Sequence, residues 1–409
     1  MILVLGALIA LGPLTIDMYL PALPRIAEEL SVSSSVSQLT LTGTLAGLAL
    51  GQLVVGPLSD ALGRRRPLFA GIVLHMVASV LCVLAPDIVT LGVARALQGM
   101  GAAAAAVVAV AVVGDMFSGT AAATMMSRLM LVLGVAPVLA PSLGAAVLLH
   151  GSWHWVFAAL VLVAAGLLLM AVSALPETLP VAQRRPLAVR AIVGTYAELV
   201  RDARFVILVL VAALGMSGLF AYISAAPFVL QERYGLDQQS FALVFAAGAI
   251  ALIGSTQCNV VLLRRFSPQT ITLAALSWSL VAGLVFVALT LAQVGGLSAF
   301  LVPVLAILAG MGLVIPNAPA LALSRHPDAS GTAAAMLGAA QFGLGAAVAP
   351  AIGALGNGAL ALAAVMTAGM GVALVALLAV GRRNDDAAAG DDSVDEAADD
   401  VLAPVAERA

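Results

Sequence analysis

Twelve apolar runs, each close to the length that crosses a bilayer, dominate this chain. A helix needs roughly 20 such residues to traverse the hydrocarbon core. They stand at about 2–23, 39–59, 68–85, 89–114, 125–149, 153–175, 204–225, 240–262, 270–292, 297–322, 331–355 and 357–380. The composition agrees: 62% of the 409 residues are hydrophobic and only 10% are charged, where a soluble domain carries about a quarter. Too little polar material remains to cover a globule facing water, so lipid is the solvent. The predicted fold class is an all-α membrane protein of twelve transmembrane helices in two six-helix lobes.

Arginine placement predicts orientation. With the N-terminus inside, the cytoplasmic segments hold Arg64, Arg65, Arg66, Arg128, Arg184, Arg185, Arg190, Arg201, Arg204, Arg264, Arg265, Arg325, Arg382, Arg383 and Arg408, against Arg25 and Arg233 outside. Arg95 is left within the membrane. The chain has no lysine. Both termini are therefore expected in the cytoplasm. The first apolar run has no basic leader, so no secretory signal is expected.

The predicted organisation is an N-terminal lobe over 1–175, a cytoplasmic loop over 176–203, a C-terminal lobe over 204–380 and a disordered acidic tail over 381–409. The tail holds Asp385, Asp386, Asp391, Asp392, Asp395, Glu396, Asp399, Asp400 and Glu407 with almost no bulky apolar residues, a composition that cannot bury a core. The lobes read as copies. Gly99-Met100-Gly101 returns as Gly310-Met311-Gly312, Pro141-Ser142-Leu143-Gly144 as Pro350-Ala351-Ile352-Gly353, and Arg64-Arg65 as Arg264-Arg265. A parallel repeat of this kind places a midplane cavity between two rocking lobes.

Several strings carry a resemblance. Gly56-Pro57-Leu58-Ser59-Asp60-Ala61-Leu62-Gly63-Arg64-Arg65-Arg66 resembles the signature loop of the major facilitator superfamily. Gly63 suits a tight reversal, Arg64 and Arg65 suit cytosolic headgroups, and Asp60 is an acid at a helix end. In that family the acid helps lock the lobes near the eleventh helix, whose start at Gly331-Thr332 offers a positive dipole end here. Arg95-Ala96-Leu97-Gln98-Gly99 resembles the fourth-helix motif. Gly134, Pro137, Pro141 and Gly144 resemble the helix-five motif of drug antiporters. Pro13-Leu14-Thr15-Ile16-Asp17-Met18-Tyr19-Leu20-Pro21, Ser152-Trp153-His154-Trp155, Leu175-Pro176-Glu177-Thr178 and Ser224-Ala225-Ala226-Pro227 are similar to the bicyclomycin and chloramphenicol resistance branch, Bcr/CflA. That branch usually has Arg-Asp where this chain has Gly114-Asp115. The resemblance implies the major facilitator fold, a drug:proton antiporter in a bacterial inner membrane, and a monomer.

Asp17 and Arg95 are the acid and the base placed deep within spans, both roughly 10 Å below the outer surface at 1.5 Å per residue. They are predicted to meet across the N-terminal lobe. An ionisable group at such depth normally faces a cavity or a partner. One reading makes Asp17 the proton carrier with Arg95 tuning it; the other makes them a permanent pair joining two helices. Direct contact of Arg95 with substrate is a third. Candidate substrate contacts are Asp17, Tyr19, Gln98, Tyr222, Asn317 and Gln341. A cavity with so few charges suits amphipathic organic molecules rather than sugars or phosphorylated metabolites.

No enzyme constellation is visible. His75, His150, His154 and His326 lie in separate segments without metal-ligand spacing, and no phosphate loop with its lysine exists. Cys82 and Cys258 sit in apolar runs as packed thiols. No metal or other cofactor is expected beyond protons as coupling ion, and no nucleic-acid partner. The expected function is proton-coupled efflux of small toxic compounds. Export of an endogenous metabolite or self-made antibiotic is the alternative, and a membrane sensor or enzyme the remote one.

Overall fold

A computed structural model describes residues 2–184, 189–326 and 329–402. Among them every regular element is helical. Twelve helices are long and apolar enough to cross a membrane: spans 1 (Ile2–Glu29), 2 (Ser34–Leu62), 3 (Arg65–Val83), 4 (Ile88–Met116), 5 (Thr124–Leu148), 6 (His154–Ala174), 7 (Ala203–Arg233), 8 (Gln238–Leu262), 9 (Pro268–Ala292), 10 (Gly296–Leu323), 11 (Gly331–Ala354) and 12 (Ala359–Val380). Several begin before the apolar run does, because polar side chains cap them. Ser33 accepts the amide of Val36, Asp87 those of Val89 and Thr90, Asp202 those of Arg204 and Phe205, and Asp237 that of Ser240. Each cap satisfies donors that a helix start leaves open.

Among the described residues of 176–203 the chain forms a 3-10 turn, Val181–Gln183, and a further α-helix, Val189–Arg201. The last helix continues from Ala359 to Leu402. It thus takes in part of the acidic segment 381–409, where alanine runs favour helix. No side chain beyond Val380 is described, and the segment's end lies outside the described residues.

Helix pairing repeats between the lobes. Span 4 packs on spans 1, 2 and 3, as span 10 does on 7, 8 and 9; pairs 1–5, 1–6 and 3–6 recur as 7–11, 7–12 and 9–12. Across the lobes span 2 lies against span 11, and span 5 against span 8. Glycines set the close approaches, but not in the register of the Gly-Met-Gly repeat. A Cβ on Gly99 would strike the Thr44 carbonyl of span 2, and one on Gly101 the backbone of Gly71 and His75 in span 3. In the other lobe the order is reversed: Gly310 abuts Ala275 and Ser279 of span 9, and Gly312 abuts Leu252 and Ser255 of span 8. Residues two apart on a helix point to nearly opposite faces, so the two glycines exchange neighbours between the lobes.

The two ends of the lobe interface differ. Away from the arginine-rich loops, polar contacts tie the lobes. Ser35 donates to the Gly353 carbonyl (3.1 Å), Gln38 to the Ser224 carbonyl (3.0 Å) and to Asn357 (2.5 Å), and Gln239 to the Ala145 carbonyl (3.1 Å). At the arginine-rich end lies a cavity of about 610 Å³ lined by Gln52, Gly56, Asp60 and Arg64 on one wall and Gly331 and Thr332 on the other.

Candidate functional site

Span 1 is broken where its acid sits. Its first helix ends at Asp17, a 3-10 turn covers Leu20–Ala22, and helix resumes at Leu23. Pro21 has no N–H to return to the Asp17 carbonyl four residues back, and proline disfavours helical geometry in the residue before it. On the other side, span 5 presses against this break. A Cβ on Gly144 would collide with the Met18 carbonyl, so the helix-five glycine is where span 5 meets the chain beside Asp17.

Asp17 is 3% exposed, and its Oδ1 is buried without a hydrogen-bond partner. No ion pair joins it to Arg95 among the described residues, which corrects the expected meeting. The guanidinium is engaged elsewhere. Arg95 donates to the Thr15 carbonyl at 2.9 Å and to the Gln98 side chain, and lies 4.0 Å over the Tyr19 ring. Its planar fork and weak hydration suit stacking and hydrogen bonding together.

Around it runs a closed polar circuit that the sequence reading overlooked. Gln98 donates to Ser79 (2.7 Å), and Ser79 to the His75 carbonyl (2.7 Å). His75 Nε2 meets the Thr15 hydroxyl at 2.8 Å, and that hydroxyl donates to the Leu11 carbonyl at 2.6 Å. With its proton given to Leu11, Thr15 accepts from the imidazole, which makes His75 the Nε2–H tautomer. Thr15, His75, Ser79, Arg95 and Gln98 are all 0% exposed. Their signal in the sequence was polar residues inside apolar runs, at positions that face span 1.

The other candidates are placed as follows. Tyr19 and Gln98 belong to this sealed cluster rather than to an open cavity. Tyr222 is buried and stacked on Phe245 with centroids 5.1 Å apart. Asn317 of span 10 donates to Asn259 of span 8 at 2.7 Å and to the Leu313 carbonyl at 2.8 Å. Gln341 is half-buried on span 11. Arg128, counted with the cytoplasmic arginines, lies within the helix Gly119–Leu148 and is exposed. Gly134 approaches Ile253 across the lobes, and Pro137 and Pro141 stand inside the span 5 helix.

The signature loop closes on itself. Gly63 takes φ +87°, a left-handed value suited to glycine. Arg64 then reaches Asp60 at 2.6 Å, Asp115 at 2.8 Å and Ser59 at 2.9 Å, and Thr178 completes Asp115 at 2.7 Å. Asp60 is thus held by its own loop and lines the cavity across from the start of span 11, rather than bonding to it. Asp115 finds its cation in Arg64, so the glycine at 114 leaves it paired. Arg65 extends past the loop to the Val172 carbonyl at 3.1 Å. Glu177 accepts from the amides of Arg64 (2.8 Å), Arg65 (3.3 Å) and Leu179 (3.2 Å). Partial burial pushes its carboxyl up, but these amides and Arg184 hold it below the usual range.

A repeated six-helix lobe with this loop, this fourth-helix cluster and this broken first span is matched by the Major Facilitator Superfamily family model over residues 5–350. The chain belongs to the major facilitator superfamily. Among its relatives, the MFS-type transporter YdgK of Bacillus subtilis is 37% identical over 88% of this chain and 90% of its own length. The bicyclomycin resistance protein homolog of Haemophilus influenzae is 30% identical over 84% and 86%, and the multidrug resistance protein MdtL of Escherichia coli 30% over 82% and 83%. Solved major facilitator structures share the fold. A D-xylose-proton symporter superposes with TM-score 0.71 at 17% identity over 93% of this chain and 96% of its own, and a peptide transporter POT with 0.74 at 15% over 93% and 94%.

Proposed function

We propose that this major facilitator exports small amphipathic toxic compounds through the bacterial inner membrane in exchange for protons, with both termini and the arginine-rich face in the cytoplasm. Support for the cargo comes from relatives named for bicyclomycin and multidrug resistance. Support for the orientation is the arginine distribution. The observation that carries the coupling is Asp17, a buried carboxyl with an unpartnered oxygen, while the guanidinium of the same lobe is bound to other groups. An ionised carboxylate buried without partners is costly, so this closed state accommodates Asp17 with its proton on. When the lobes rock and span 1 meets water or a cationic cargo, the carboxylate form becomes affordable and the proton leaves. The tied interface away from the arginine loops and the cavity at their end correspond to a state closed outside and accessible from inside.

The test is efflux from proteoliposomes under an imposed pH gradient, across a panel of antibiotics and dyes. Asp17→Asn should abolish gradient-driven transport while leaving the protein inserted. Undiminished gradient-driven efflux by that variant ends the proton-carrier assignment.

A further inference from the structure

Asp17 stands at a break, so something besides helical hydrogen bonding must hold it in place. The helix Ile2–Asp17 leaves carbonyls of its last turn without intrahelical donors. Arg95 serves one of them, the Thr15 carbonyl, and its guanidinium also covers the Tyr19 ring. It thus grips the chain two residues before Asp17 and two residues after it. Thr15 is held a second time, through its side chain. Its hydroxyl donates to the Leu11 carbonyl at 2.6 Å and keeps a lone pair for the Nε2–H of His75 at 2.8 Å. His75 Nδ1 has no partner, and a second ring proton there would be a buried donor with nothing to meet. The imidazole is therefore a neutral donor, and it acts on Asp17 only through Thr15.

These contacts lie inside one lobe, with Thr15 on span 1, His75 on span 3 and Arg95 on span 4. They need not break when the lobes rock. Just past the break the situation changes, because the Pro21 carbonyl accepts from Gln231 of span 7, in the other lobe, at 3.4 Å. An acid at such a junction needs a fixed footing if it is to face one side of the bilayer at a time. We propose that His75 is a positioning residue. By donating to Thr15 it anchors the end of span 1's first helix, and with it Asp17, to span 3 throughout the cycle. The role rests on Asp17 being the proton carrier proposed above.

The experiment uses the full chain in proteoliposomes, with Cys258→Ser removing the exposed thiol and Asp17→Cys as the reporter. The probe is N-ethylmaleimide, and buried Cys82 of span 3 is the internal control, both sites being read by peptide mass spectrometry. Thr15→Val and His75→Leu should each raise alkylation at position 17 relative to Cys82. The expected rise is about fivefold, the change that one net hydrogen bond makes in an equilibrium. The two together should raise it no further, and Thr15→Ser, which keeps the hydroxyl, should match the parent. An unchanged ratio, which includes a general loosening that exposes both thiols alike, overturns the proposal. So does a Thr15→Ser ratio as high as that of Thr15→Val, or a double variant that exceeds either single one. Should His75→Leu fail to insert, Thr15→Val carries the test, because valine keeps the shape of threonine. The thiol reporter requires no proton traffic, so its outcome judges His75 alone. The carrier assignment is judged separately, by Asp17→Asn in gradient-driven efflux.

Discussion

The N-terminal lobe buries a carboxyl, a guanidinium and an imidazole; the C-terminal lobe, built on the same helix pairing, buries an amide pair and stacked aromatics. Asn259 and Asn317 complete one another, each amide donating to the other's oxygen, and neither has an orphaned atom. In the N-terminal cluster Asp17 Oδ1, His75 Nδ1 and Arg95 Nε are buried without partners. This one amide pair satisfies itself, whereas the ionisable cluster of the other lobe is incompletely paired, as are the amides of Gln38 and Asn357 at the lobe interface. If the proposed proton exchange runs through Asp17, the N-terminal lobe does the work and the C-terminal lobe chiefly supplies a wall.

The largest expected effect tests that asymmetry directly. Arg95→Met removes the donor to two buried acceptors, the Thr15 carbonyl and Gln98, at about 1–3 kcal/mol for each group left unsatisfied. Thermal stability should fall sharply, and gradient-driven efflux should be lost with it. Asn317→Ala removes one interhelical pair, for which about 0.6 kcal/mol is typical, and should leave efflux nearly intact. Should Asn317→Ala silence transport as completely as Arg95→Met, the working-lobe distinction breaks.

A smaller effect sharpens the comparison along the two interfacial spans. In span 5, Gly144→Ala puts a methyl into the Met18 carbonyl, and neither backbone can yield without moving the break that carries Asp17. Overpacking of this kind costs about 1–3 kcal/mol. In span 11, Gly353→Ala meets the Ser35 Cβ at 2.9 Å, a far shallower overlap than the one at the Met18 carbonyl and one that a small relative movement of the two helices relieves. Efflux should therefore drop markedly in the first variant and modestly in the second. Equal losses would mean that the contact at Met18 has no special bearing on Asp17.

Much of this was legible in the residues because it depends on local chemistry. Span count follows from apolar length and the tight loop from Gly63; the break in span 1 has a local cause in Pro21, although the run 2–23 reads as one helix. The depth of Asp17 and Arg95 was also readable, since position along a helix is nearly linear. Their partners were not. Which atom Arg95 meets depends on the rotation of three helices. His75, Ser79 and Thr15 were hidden for the same reason: a polar residue in an apolar run signals a bond without naming its acceptor. The contacts of Ser35, Gln38 and Gln239 across the lobes lie between residues far apart in sequence and leave no local trace.

The smallest predicted effect concerns the loops at the arginine-rich end, where in each lobe a carboxylate gathers backbone amides and a neighbouring cation. Glu177 gathers the amides of Arg64, Arg65 and Leu179, while Asp202 caps span 7 and reaches Arg325 and His326, each at 3.0 Å. Both carboxyls lie below their ordinary range despite partial burial, which pushes the other way; backbone amides and neighbouring cations prevail. A lowered carboxyl contributes stability that is present above the unfolded-state value and is lost as pH falls through the folded one. Glu177→Gln should thus cost roughly 1 kcal/mol near neutrality. Thermal unfolding of the two proteins should converge as pH drops below the ordinary glutamate value of about 4.3. Asp202→Asn should behave alike, since its loop is tied by the same kind of charge. A gap for Glu177→Gln that stays constant down to acid pH would show that side-chain shape rather than charge secures the loop, and the parallel between the two ends of the repeat would fail there.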